Sequence, residues 1–186
     1  LSHLRTDGVD RSLLEGWIER ASQRAGGYSL VGWDDPCPED ELEGYTEVVH
    51  VMNTAPRDAL DRDDDVWTAD DVRQYEASLS RRGHHGWTLC ARDDSTGRYV
   101  GFTEMGFWPW APTHAFQGDT GVDPAHRNRG LGRWLKAAKL LRLLDERPAV
   151  EVVETGNASS NDAMLAINVA MGFRPARYGA FWQLEI

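Results

Sequence analysis

Apolar positions along the chain follow a helical period in the first eighty residues and alternate in the forty that follow. Leu13, Leu14, Trp17, Ile18 and Ala21 recur at helical spacing within residues 11–25, and Gly26 and Gly27 end that run. YSLVGW, from Tyr28 to Trp33, predicts a short strand, closed by the turn-forming DDPCPED. Residues 39–53 predict a helix with Leu42, Tyr45, Val48, Val49 and Met52 on one side. The acidic stretch after it reads as a solvated loop, because DRDDD lacks the glycine and the distant glutamate of a calcium loop. Thr68 is placed to cap a helix reaching about Leu79, which RRGHHG then breaks. His84 and His85 have no partners at metal-ligand spacing and read as loop residues, so no metal site is expected.

From there the period changes. WTLCARDD, RYVGFTEMGFW and HAFQGDTGV predict three strands, the first two joined by the hairpin signal DSTG. Residues 130–145 predict a helix with Leu131, Trp134, Leu135, Ala138, Leu141 and Leu144 as its apolar stripe, and Pro148 follows its end. VEVVE predicts a strand. Residues 161–171 predict a helix with Met164, Leu165, Ile167 and Met171 inward, and FWQLEI a closing strand. The order implies a mixed α/β sheet with covering helices.

Composition narrows the function classes. The chain has 186 residues, 30 acidic against 20 basic, for a net charge of -10. That balance argues against nucleic acid, whose phosphates reward basic surfaces, and is compatible with solubility or a cationic substrate. Two cysteines, Cys37 and Cys90, make neither a disulfide framework nor a zinc pattern, so a reducing, cytoplasmic setting is expected. No apolar run is long enough to span a membrane and no signal peptide is visible. A chain that begins at Leu1 implies a segment upstream.

The concentration of charge and glycine in VDPAHRNRGLGRWL needs a chemical reason. A helix start exposes unpaired N–H groups and a partial positive charge, glycine permits close approach, and arginine adds charge-assisted hydrogen bonds. Together they describe a phosphate cradle at the helix beginning near Gly130. It is not a P-loop, since GxxxxGK[ST] is absent. It is not a dinucleotide fingerprint either: Leu135 stands where the third glycine belongs, behind strands that read as antiparallel.

Val122, Pro124, Arg127, Gly130 and Gly132 resemble the acyl-coenzyme A binding motif of the GNAT superfamily of N-acetyltransferases, with Asn128 where many members have glycine. Asn161, Asn168, Gly172 and Phe173 resemble the family's later Asn…Gly-Phe segment. The wording of the second half is similar to the C-terminal domain of tandem actinobacterial-type GNAT proteins. The resemblance implies a GNAT fold, with a mostly antiparallel mixed sheet flanked by helices, over residues 28–186. Residues 1–27 would then be a helical linker or the tail of a preceding domain, itself a GNAT domain in the full-length chain.

The same resemblance implies acetyl-coenzyme A as cosubstrate, without a metal. Its pyrophosphate would lie on the backbone of Arg127, Asn128, Arg129, Gly130, Leu131, Gly132 and Arg133, and its pantetheine arm along the strand ending at Val122. The Val122 N–H would be donor to the thioester carbonyl. Gly121 is expected at a bulge. Asn157, Asn161 and Asn168 would meet the amide arm or the sulfur, and Asn161 also suits a helix N-cap. The acceptor ammonium must lose a proton to a carboxylate. Asp119 and Glu104 are both candidates, and alternation places Gln117, Asp119 and Gly121 on one face. Asn168 stands where many members carry a tyrosine that protonates the leaving thiolate, which leaves Tyr178 as a replacement acid. The expected reaction is acetyl transfer to a primary amine of a small molecule by direct attack. The alternatives are an inactive acyl-coenzyme A binding domain or an interaction domain without the ligand. The aromatic run Phe107–Pro112 suits either packing or the wall of an acceptor pocket.

Overall fold

The computed structural model describes residues 1–24, 26–56 and 63–179. A seven-stranded sheet runs through it in the order β2-β3-β4-β5-β6-β1-β7. The strands are β1 (Ser2–Arg5), β2 (Tyr28–Asp34), β3 (His85–Asp93), β4 (Tyr99–Phe107), β5 (His114–Val122), β6 (Val152–Thr155) and β7 (Arg174–Pro175). The helices are α1 (Arg11–Arg24), α2 (Leu42–Val49), α3 (Ala69–Arg81), α4 (Leu131–Glu146) and α5 (Asp162–Met171). Every neighbouring pair is antiparallel except β5 and β6, which run parallel with α4 as their crossover. The expected fold class is therefore the observed one.

Alternating side chains divide the core. On one face of the sheet Trp87, Met105, Phe107 and Ala115 pack with Leu14 and Trp17 of α1 and Leu140 and Leu143 of α4. On the other, Trp33, Cys90 and Phe102 pack with Leu42 and Val48 of α2 and Val72 of α3. Thr68 caps α3 in a capping box with Asp71, as its position predicts. The helix expected over 39–53 is α2 followed by a 3-10 turn, His50–Thr54.

Two expectations change. Residues 1–27 are not a linker apart from the domain: β1 lies between β6 and β7, and Leu4 and Leu14 are each 1% exposed in the shared core. A four-residue strand carries too little alternation to be visible in the sequence. In α4 the buried face is Leu131, Leu135, Lys136, Ala137, Lys139, Leu140 and Leu143, so two lysines lie inward while Trp134, Ala138, Leu141 and Leu144 are only partly covered. That helix is pressed between the sheet and α1, and a two-sided contact blurs a one-sided stripe. The closing strand expected at FWQLEI lies outside the described residues.

Candidate active site

β5 bends where it passes β4. Thr103 pairs with Thr120 and Met105 with Gln117, so Gly118 and Asp119 together stand opposite Glu104. This is a β-bulge, and it reverses the side-chain phase of β5. Gln117 consequently turns away from Asp119 and donates to the hydroxyls of Thr103 at 3.0 Å and Thr120 at 3.4 Å. The expectation that Gln117, Asp119 and Gly121 share one face is thereby corrected, as is the bulge expected at Gly121. Gly121 serves a close approach instead: a Cβ there would stand 2.5 Å from Val51 Cγ1 and 3.1 Å from Met52 Sδ.

Beyond the bulge β5 leaves β6. The parallel ladder ends at Gln117 and Thr155. The Asp123 N–H donates to Val100 O at 2.8 Å, so by antiparallel alternation the Val122 N–H faces the opposite edge, away from β4. Val122 O on that edge accepts from Arg127 Nε at 2.9 Å, and Arg127 Nη2 also reaches Thr54 Oγ1. Arg127 thus pins the loop to the strand end. Tyr28 holds the same loop from β2, its hydroxyl 2.8 Å from His126 Nδ1 and its ring beneath the Arg129 guanidinium.

The loop then enters α4 through two left-handed residues, Asn128 at φ 63° and Gly130 at φ 88°. Trp134 N–H closes the first helical turn on Gly130 O, leaving the N–H groups of Leu131, Gly132 and Arg133 at the helix start outside the helical ladder. A Cβ at Gly130 would meet nothing within 4 Å, so the space over this start is open. The Arg133 guanidinium lies over the Trp17 ring. Gly132 faces Ile167 and Val122, which puts α5 against the end of β5.

The later asparagines meet across the far side of this gap. Asn161 caps α5 by accepting from the Met164 N–H at 3.2 Å. Asn168, 2% exposed, donates to Asn157 Oδ1 at 2.7 Å, and its own Oδ1 is buried with no hydrogen-bond partner. An orphaned buried acceptor beside an open strand edge fits an amide-bearing ligand. Tyr178 lies elsewhere: it is 88% exposed and does not line the cleft described next.

On the α2–α3 face of the sheet a cleft of about 480 Å³ opens over Glu104 and Asp119. Tyr45 of α2 donates its phenolic proton to Glu104 Oε1. Burial pushes the Glu104 carboxyl up to about 7; the Tyr45 hydrogen bond opposes that shift, and the nearby Asp119 adds to it. Burial and the facing carboxylate hold the Tyr45 phenol well above its ordinary value, so it remains the donor. Beneath the sheet Lys139, 1% exposed, donates a hydrogen bond from Nζ to Trp87 O at 2.7 Å, and burial pulls its pKa down to about 7. The structure therefore brings Glu104 and Asp119 together in one cleft. It also brings in residues that sequence reasoning had not placed at the site: Tyr45, read as a core residue, His84, read as a loop residue, and Asp35 and Glu76. Trp108, from the aromatic run, is a wall residue.

The structure thus parts β5 from β6, sets a glycine-bearing helix start behind β5 and places two carboxylates in a cleft on the α2–α3 face. The chain belongs to the acetyltransferase (GNAT) family, whose model matches residues 47–173. No curated protein matches it in sequence. Among solved structures it is similar to a tandem GNAT protein from the clavulanic acid biosynthesis pathway, at 30% identity and TM-score 0.71 over 94% of this chain. The chain spans 49% of that protein. It shares its fold with the putative acetyltransferase yncA from Salmonella typhimurium with its cofactor acetyl-CoA, at 20% identity and TM-score 0.56 over 80% of each chain. It also shares it with the aminoglycoside N-acetyltransferase AAC(6')-Iy in complex with CoA, at 16% identity and TM-score 0.56, over 86% of this chain and 97% of that one.

Proposed function

We propose that this domain transfers an acetyl group from acetyl-coenzyme A to a primary amine of a small molecule, with Glu104 as general base. The observation that carries the proposal is Glu104 itself: a carboxyl pushed to about 7, lining the cleft beside the bulge and hydrogen-bonded by Tyr45. A general base works best when its pKa lies near the working pH. The coenzyme supplies a thioester carbonyl and a thiol leaving group. The N–H groups of Leu131, Gly132 and Arg133 would hold its pyrophosphate, with Arg129 close by. The Val122 N–H would polarise the carbonyl, and Asn157 and Asn168 would meet the pantetheine amides. Glu104 takes a proton from the acceptor ammonium, directly or through water. The freed amine attacks the thioester carbon; the C–N bond forms, the C–S bond breaks, the sulfur leaves as thiolate, and the proton that the new amide nitrogen sheds passes to that thiolate or to solvent. A thiol pKa of roughly 8.5 makes that departure tolerable without an acid from the protein.

A second reading, a catalytically weak acyl-coenzyme A binding half of a tandem protein, is favoured by Asn168, which cannot protonate a thiolate. Tyr178, 88% exposed and not among the residues lining the cleft, is given no role in this proposal. Calorimetric titration with acetyl-coenzyme A and with coenzyme A, followed by a thiol-release screen of amines, separates the two. Binding of both with turnover supports the enzyme. Binding without turnover of any amine supports the second reading, and no binding at millimolar ligand sinks both. Glu104→Gln and Asp119→Asn then assign the base. If the Asp119 variant loses turnover and the Glu104 variant keeps it, the roles are reversed.

A further inference from the structure

The cleft runs past Glu104 to a second polar floor. Gly86 of β3 and Gly106 of β4 are cross-strand partners, two residues along from the pair Thr88 and Glu104. Both glycines are occupied from above. A Cβ on Gly86 would overlap the Asp35 carboxylate, and one on Gly106 would overlap His84 Nε2. The two missing side chains thus make room for a carboxylate and an imidazole on the cleft floor. His84 Nδ1 is buried without a hydrogen-bond partner, with Asp35 Oδ2 3.7 Å away, beyond hydrogen-bond reach.

The charge of this end is unbalanced. Glu76 is neutralised by Arg73 at 2.8 Å and also accepts from the Cys37 N–H. Asp34 is paired with Arg142 at 2.6 Å. The ionisable group beside Asp35 is His84, whose pKa burial lowers, and no lysine or arginine lies within ion-pair distance among the described residues. Burial raises the Asp35 pKa, as it would for a carboxylate lacking a cation. Among the described residues, no lysine or arginine lines the cleft. Its walls at this end are aromatic: Trp108 packs edge-on against His84 with centroids 4.7 Å apart, and Trp67 and Tyr75 meet at 5.6 Å. Trp108 already carries one cation, the Arg82 guanidinium at 5.3 Å from its ring centroid. Aromatic faces around an unpaired carboxylate suit an ammonium or guanidinium and repel carboxylate and phosphate.

Resting on the acetyl-transfer reading above, we infer that the acceptor carries two cationic centres. One is the amine that reacts at Glu104, and the other is an ammonium or guanidinium held by Asp35 between Trp108 and Tyr75. Asp35 lies over β3 and Glu104 stands on β4 two residues along, so two residues of rise and one strand spacing separate the positions, about 8 Å. That spacing matches a linear diamine with five to six carbons between its nitrogens.

The test uses α,ω-diamines of two to eight carbons, n-alkyl monoamines of the same lengths and the corresponding ω-amino acids. Thiol release from acetyl-coenzyme A is the first readout. Expected is a kcat/KM maximum at five to six carbons, at least tenfold above the matched monoamine, with the ω-amino acids below the monoamine. Asp35→Asn should erase the advantage of each diamine over its matched monoamine and leave coenzyme binding unchanged. Gly86→Ala, which displaces the Asp35 carboxylate, should do the same. The second readout is calorimetric binding of 1,5-diaminopentane to the protein without coenzyme, expected for wild type and lost in Asp35→Asn. Equal diamine and monoamine behaviour in both readouts overturns the inference, as does a preference that survives Asp35→Asn. Asp35-dependent diamine binding with no thiol release from any amine would uphold the subsite and reject acetyl transfer.

Discussion

Tyr45 on α2 donates its phenolic proton to Oε1 of Glu104 on β4, joining a helix on one side of the cleft to the carboxylate on its floor. The bond favours the ionised carboxylate, whereas burial and Asp119 favour the protonated one. A base acts when deprotonated, so kcat/KM should fall as pH drops through about 7. Tyr45→Phe removes the opposing hydrogen bond and should move that limb to higher pH. Glu104→Gln should reduce kcat by about 10²- to 10⁴-fold with coenzyme affinity preserved. A pH–rate profile of the three proteins decides the matter, and a Tyr45→Phe profile superimposable on wild type would rule out the coupling.

Gly130 enters α4 at φ 88° with open space where a Cβ would stand. Gly130→Val should cost about 1–2 kcal/mol in backbone strain and obstruct the helix start. Gly130→Asn tolerates the left-handed conformation and should cost less. Coenzyme affinity should therefore fall further for valine than for asparagine, measured beside a denaturant titration of each. Undiminished affinity in the valine variant would misplace the phosphate cradle.

Lys136 is 1% exposed, its Nζ 5.5 Å from the Phe173 ring centroid, and burial pulls its pKa down to about 7. A folded-state pKa below the unfolded value makes stability present at high pH and lost as pH falls through the folded value. Between pH 7 and about 10 this group should add a slope of about 1.4 kcal/mol per pH unit. Lys136→Met should remove that slope and be more stable than wild type near pH 7. Parallel stability–pH curves for the two proteins would refute it.

Asn168 anchors α5 to the end of β6 through Asn157. Asn168→Ala leaves Asn157 Oδ1 without that donor and should cost about 1–3 kcal/mol. It should also weaken coenzyme binding more than Asn161→Ala, whose loss is an N-cap contact of about 1 kcal/mol. Calorimetry on both variants ranks them.

Much of the fold was legible because it depends on local pattern. The period change after Arg82 separates helices from strands, Thr68 announces its N-cap, and the run from Arg127 to Gly132 marks the helix start. β1 was not legible, because four residues pair only once β6 and β7 are already placed. The buried lysines of α4 were not legible either, because their burial depends on α1 covering a helix that the sheet already covers.

By itself, then, the chain's sequence determined the mixed sheet, the glycine-bearing helix start and the family. These arise from dihedral preference, periodicity and residue spacing, all of which are local. The tertiary structure decided the chemistry of the cleft. A single extra residue at Gly118–Asp119 reversed the alternation of β5, turned Gln117 inward and left Asp119 beside Glu104. Tyr45, 59 positions away, then met that carboxylate, and Asp35 and His84 settled over two glycines of neighbouring strands. A bulge and a close approach are properties of two strands together, and neither is written in one of them.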